Sequence, residues 1–125
     1  MNRNVVVDSE VDICISDPWE FGTENGCGPF QAVIVDMAFS EVWSHEVLFV
    51  HLSEALEYKG MTFDLLVASA RHGSTDQAIV GLMRGGGDMP ANFLPVPIQR
   101  EDGVGPMEFV EQWRGWGLIG SIHRR

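Results

Sequence analysis

The chain predicts a mainly β fold of the α+β kind: a compact antiparallel β-barrel or strongly curled sheet with one helix in its C-terminal half. Three features lead there. Short runs rich in Val, Ile and Phe recur with period-two alternation and with turn formers between them. One of these runs, Phe30 to Phe39, is apolar on both faces, which suits a central strand or a small barrel whose outer surface is covered. After Pro106 the apolar spacing changes from two to three and four, as a helix requires.

Each element follows from local chemistry. Val5 to Val7 reads as a short edge strand. Val11 to Ser16 sets Val11, Ile13 and Ile15 against Asp12, Cys14 and Ser16, a half-buried strand. Asp17-Pro18 ends it, because proline has no N–H for the ladder. Phe30 to Phe39 places Phe30, Ala32 and Ile34 on one face and Val33, Val35, Met37 and Phe39 on the other. His45 to Leu52 opposes His45, Val47, Phe49 and His51 to Glu46, Leu48, Val50 and Leu52. Helical propensity in Ser53-Glu54-Ala55-Leu56-Glu57 offers a helix across Ser44 to Tyr58, but the β-branched and aromatic residues before it favour strand.

Lys59-Gly60 is a turn, and Met61 to Arg71 alternates as a strand. His72 to Asp76 is a turn cluster, Ala78 to Arg84 a short strand, and Gly85-Gly86-Gly87-Asp88 a hairpin end. Phe93 to Gln99 contains Pro95 and Pro97 and is predicted as an extended edge or a wrapping loop. Pro106 fits a first helical turn, Glu108 and Glu111 suit its N-terminal half, and Gly115 closes it, with Met107, Val110 and Trp113 or Arg114 on one side. Leu118 to Ile122 is the final strand.

With 125 residues and 45% hydrophobic content, positions 1–125 read as a single globular domain able to form a core without staples. The longest apolar stretch, Leu65 to Ala70, is too short to span a bilayer, and Met1 to Asn4 lead into no signal-peptide core. A cytoplasmic protein with no membrane partner is the expectation. Eighteen acidic residues against eight basic ones give a formal charge of −10. No basic stripe exists, so nucleic acid is not an expected partner. Acidity serves solubility, or presents a face to a basic partner protein.

Cys14 and Cys27 are too few for a disulfide framework or a zinc site. Cys14, between Ile13 and Ile15, reads as a small buried hydrophobe, and Cys27, between glycines, as the more exposed thiol. His45 and His51 share a strand face but stand about 20 Å apart at the usual strand rise, too far for one metal ion. With no H-x-x-x-H or C-x-x-C, no metal and no cofactor are expected. Arg84 to Asp88 lacks the G-K-[ST] of a phosphate loop, and no G-x-S-x-G or Ser/His/Asp constellation with local support is visible.

Two stretches remain as candidate binding residues. Asp17, Trp19, Glu20 and Phe21 crowd carboxylates and aromatics into a loop; Asp17 also suits a turn, with Trp19 and Phe21 packing on the sheet. Arg71 and His72 stand where an apolar strand emerges into a turn, the one able to clamp an anion and the other able to titrate near neutral pH. The leading functional expectation is a small binding module, a homodimer that holds a small molecule or a protein partner. The alternative is a small acid–base enzyme using His72, Arg71 and a loop carboxylate, Asp17 or Glu20.

The run Ser16-Asp17-Pro18-Trp19-Glu20-Phe21-Gly22, with Gly28-Pro29-Phe30 after it and Lys59-Gly60 to Arg71-His72-Gly73 downstream, resembles small uncharacterised bacterial proteins of the sort carried on mobile gene cassettes. The resemblance covers residues 11 to 75. It implies a cytoplasmic bacterial protein, a barrel-like fold and self-association, and it transfers no catalytic residue.

Overall fold

The computed structural model describes residues 6–16, 27–85, 87–115 and 117–125. Asp17, Trp19, Glu20 and Phe21 lie outside them. The chain order is β1 (Glu10–Ile15), β2 (Phe30–Ser40), β3 (His45–Tyr58), β4 (Met61–Ala70), α1 (Thr75–Met83), β5 (Asp88–Pro97), α2 (Pro106–Gln112) and β6 (Leu118–Arg124). Each strand pairs antiparallel with the next, and β6 returns to β1, so the sheet closes into a barrel. Closure leaves no strand pair missing around the wall.

The inside of the barrel is filled by the alternating residues the sequence sets apart. Val11, Ile13 and Ile15 of β1 meet Phe30, Ala32 and Ile34 of β2, Leu48, Val50 and Leu52 of β3, Phe63 and Leu66 of β4, Phe93 of β5 and Ile122 of β6. Strict alternation fails where it must. Ile34 pairs with Val50 but Asp36 pairs with Phe49, so Val35 is an extra residue in β2. That bulge changes the inward parity, and Met37 joins the core in place of a residue of the Phe30 series. A second irregularity between Phe63 and Leu65 lets both Phe63 and Leu66 face inward.

Gly120 is where the wall closes most tightly. A Cβ there would overlap the carbonyl oxygen of Cys14 and lie 2.9 Å from the Phe93 ring. The β3–β4 hairpin turns at Lys59-Gly60 with φ of 52° and 75°, the left-handed pair that a two-residue turn needs to follow strand twist.

Among the described residues two helices complete the fold, where the sequence predicts one. The predicted strand Ala78 to Arg84 is helix α1 instead. Ser74 caps it by accepting a hydrogen bond from the Gln77 N–H, and Thr75, Ile79 and Leu82 turn one buried stripe to the core. Ile79 and Leu82 belong to the barrel's interior cluster, Thr75 Oγ1 donates to the Glu46 carbonyl at 2.6 Å, and Ser9 Oγ reaches Met83 Sδ. α1 therefore plugs the barrel end formed by the start of β3 and the end of β4. Val6 to Asp8 form a turn rather than the predicted edge strand.

Phe93 to Gln99 is also corrected. Its residues to Pro97 belong to β5, a wall strand paired with β4 on one side and, over Asp88 to Phe93, with β6 on the other. Pro95 and Pro97 fall beyond the reach of β6, so their missing N–H groups cost no ladder bond on that side. The helix after Pro106 is α2, and it lies against the outer face of the barrel. Val110 packs with Val47, Phe49, Val67, Leu94 and Val96, a second small core outside the first. The double-sided apolarity of the strands is thus explained by a barrel covered on one flank.

Candidate functional site

The flank covered by α2 holds the surface best suited to binding. Ser40 is fully buried, its hydroxyl donates to Glu111 Oε2 at 3.2 Å, and it accepts from the Trp43 N–H at 3.2 Å. The Val42 N–H reaches the same carboxylate oxygen. These bonds tie the β2–β3 turn to α2. Arg114 donates to the carbonyls of Glu111 and Trp113, satisfying the end of the helix.

Because α2 is only two turns long, it leaves depressions at both of its ends. At the N-terminal end, Val35, Ala38, Phe39, Phe49, Leu65 and Met107 line a groove of about 470 Å³. Phe39 is 56% exposed and Val35 42%. Two large apolar side chains left open beside a covered core are informative in a way that single exposed residues are not. At the C-terminal end, Trp43, His45, Ser69, Asn92 and Trp113 line a second depression of about 320 Å³, more polar in character. The Trp43 and His45 rings stand 5.8 Å apart there.

Charge around the apolar groove is one-sided. Asp36 stands in its wall and Glu108 next to Met107 is exposed. No base lines the groove; Arg100 donates to the carbonyls of Pro97 and Val104, and Arg114 to the helix end. Among the described residues the groove is therefore an apolar trough with one acidic residue, Asp36, in its lining.

Arg71 and His72, singled out from the sequence, are not among the residues that line this groove. Arg71 and His72 are exposed in the turn between β4 and α1. In an antiparallel meander β4 ends where β1 begins, so these residues emerge at the α1-plugged end. Ser16 and Cys27, the described residues flanking the aromatic loop, lie at the other end, where the Ile15 N–H bonds the Cys27 carbonyl. The loop residues themselves, Asp17, Trp19, Glu20 and Phe21, lie outside the described residues.

The groove escaped the sequence reading for a physical reason. Val35, Phe39 and Met107 are ordinary core residues by type, and only the bulge at Val35 and the shortness of α2 leave them uncovered. His45 and His51 do share the outer face of β3; His51 Nε2 pairs with Asp64 at 3.2 Å and His45 Nδ1 with the Glu46 carbonyl. Among the described residues no group of three or more His, Cys, Asp or Glu is placed to hold a metal ion, and no helix is long and apolar enough to cross a membrane.

Comparison with family models, curated proteins and solved structures finds no match, so the site rests on the geometry of this chain alone.

Proposed function

We propose that this protein is a small binding module whose docking surface is the groove at the N-terminal end of α2, and that its occupant is a basic protein segment with an apolar anchor. The observation that carries this reading is the exposed Phe39 and Val35 in an apolar trough whose charged lining residue is Asp36. An apolar anchor supplies affinity, and Lys or Arg beside it complement Asp36 and the net charge of −10. A second copy of the chain fits this groove less well, because both copies would bring the same carboxylate to the contact. A free small molecule in the same groove would draw little on that charge.

The test is calorimetric titration with a short arginine-rich peptide bearing one leucine, beside a glutamate-rich counterpart. Only the basic peptide is expected to bind, and more weakly as salt rises. Burying a large apolar side chain contributes about 1.5–3 kcal/mol, so Phe39→Asp is expected to weaken binding by about tenfold or more. Equal binding of both peptides, or none, overturns the basic-partner reading. A concentration-dependent dimer that Phe39→Asp dissociates assigns the groove to self-association instead.

A further inference from the structure

The outer face of β6, away from α2, carries a line of side chains that the docking reading does not use. Ser121 and His123 alternate with the inward Gly120 and Ile122, so both stand on the outside of the wall. His123 is the cross-strand partner of Asp88 on β5 and of Asp12 on β1, and Ser121 that of Pro90 and Cys14. His123 Nδ1 lies 2.6 Å from Asp88 Oδ1, and Ser121 Oγ lies 2.7 Å from His123 Nε2. Two residues apart on a strand, a serine and a histidine ordinarily stand side by side without touching. Here the imidazole has both nitrogens engaged.

The direction of the bonds follows from the donors. An ionised carboxylate only accepts, so the Asp88 contact places the proton on Nδ1. In the neutral ring Nε2 then presents its lone pair to the Ser121 hydroxyl. That is the arrangement a nucleophilic serine requires: a base within hydrogen-bond reach, held in the right tautomer by a third group. Asp12 is drawn aside by Arg125, whose Nε lies 3.5 Å from its Oδ1, which leaves Asp88 as the carboxylate on the ring. The other serine–histidine contact, Ser69 with His45, spans 3.4 Å and backs onto a neutral carbonyl, so it lacks both the short bond and the anion.

We propose that Ser121 is an acylable nucleophile, with His123 as its base and Asp88 as the group that orients the base, and that it takes acyl groups from small, uncharged or cationic esters. The site is open, with Asp88 58% and His123 32% exposed, so the reacting carbonyl reaches it from solvent. Ile119, itself 45% exposed, and Pro90 border Ser121 and offer apolar contact to a short acyl chain. Asp88 repels an anionic donor, while Glu10 and Asp12 are paired with Arg125. Cys14 opposite Ser121 does not compete, because burial, then Asp12 and Asp88, hold its thiol protonated.

In the first step the Ser121 oxygen bonds to the acyl carbon while its proton passes to His123 Nε2. The carbon–oxygen bond to the leaving alcohol then breaks, and that alcohol takes the proton from Nε2. Water attacks the acyl-serine with the same base accepting its proton; the acid departs and Ser121 recovers its hydrogen.

The test uses a fluorophosphonate probe, which forms an oxygen–phosphorus bond to an activated serine and expels fluoride. Intact mass and peptide mapping of the whole protein are expected to place one label on Ser121. General-base assistance contributes about 10²–10⁴-fold, so His123→Gln is expected to slow labelling by about tenfold or more, with Asp88→Asn slowing it less. The wild-type rate follows one ionisation that is absent in His123→Gln. Melting curves establish that each variant is folded. Label spread over Ser53 and other surface hydroxyls, or a rate unchanged in folded His123→Gln, overturns the proposal.

Discussion

At the scale of single residues, the outer face of β1 and β6 shows how burial and charge tune a side chain. Cys14 packs between inward-facing Ile13 and Ile15 yet looks outward, and its thiol is pushed up by burial first, then by Asp12 and Asp88. At neutral pH less of it is thiolate than in an ordinary cysteine. Alkylation by iodoacetamide is therefore expected to be slow and to accelerate as pH rises, with Asp88→Asn giving a few-fold increase. A rate equal to that of the unfolded chain contradicts this. The same shift sets a sign for stability: the contribution is full below the ordinary thiol range and is lost as pH rises from there through the raised value of the folded state. The sequence reads Cys14 as a small buried hydrophobe, but it is half-buried on the outer face of β1, and its neighbours Ser121 and Asp88 are more than seventy positions away in the chain and joined to it only by the register.

Among the elements, the strands were legible where alternation was uninterrupted. β1, the first half of β2 and β3 to Leu52 follow the predicted faces closely, and β6 spans the predicted final strand. α1 was missed because Ala78, Val80 and Leu82 also alternate, and because Ile79, Val80 and Gly81 are poor helix formers. The signal that identifies it is the cap: Ser74 followed three residues later by Gln77. Ser74→Ala is expected to destabilise the protein by about 1 kcal/mol, measured by chemical denaturation, while leaving the barrel intact. Gly120→Ala tests the wall itself. A methyl group there has backbone against it on one side and Phe93 on the other, so a loss of about 1–3 kcal/mol is expected, read as a lower melting temperature. An unchanged melting temperature means β1 and β6 are further apart than the register requires.

For the whole molecule, the balance of charge matters more than any ion pair. The described ion pairs are exposed or half-exposed and each is worth about 0–1 kcal/mol at most. Self-repulsion from a net charge of −10 acts on the entire fold. Raising salt is therefore expected to raise the melting temperature; a fall points to the ion pairs instead. The amino-acid sequence by itself determined the class of this protein: strand-forming runs, a helix after Pro106 and an acidic balance of charge. These are local properties, written in the spacing of apolar residues and in the residue types that start and stop each element. The tertiary structure alone decided closure, the bulge at Val35, the plug formed by α1, the groove beside α2 and the meeting of Asp88, His123 and Ser121. Each of these depends on which strand pairs with which and in what register, and register is set by the sum of contacts around a closed wall, not by any one segment.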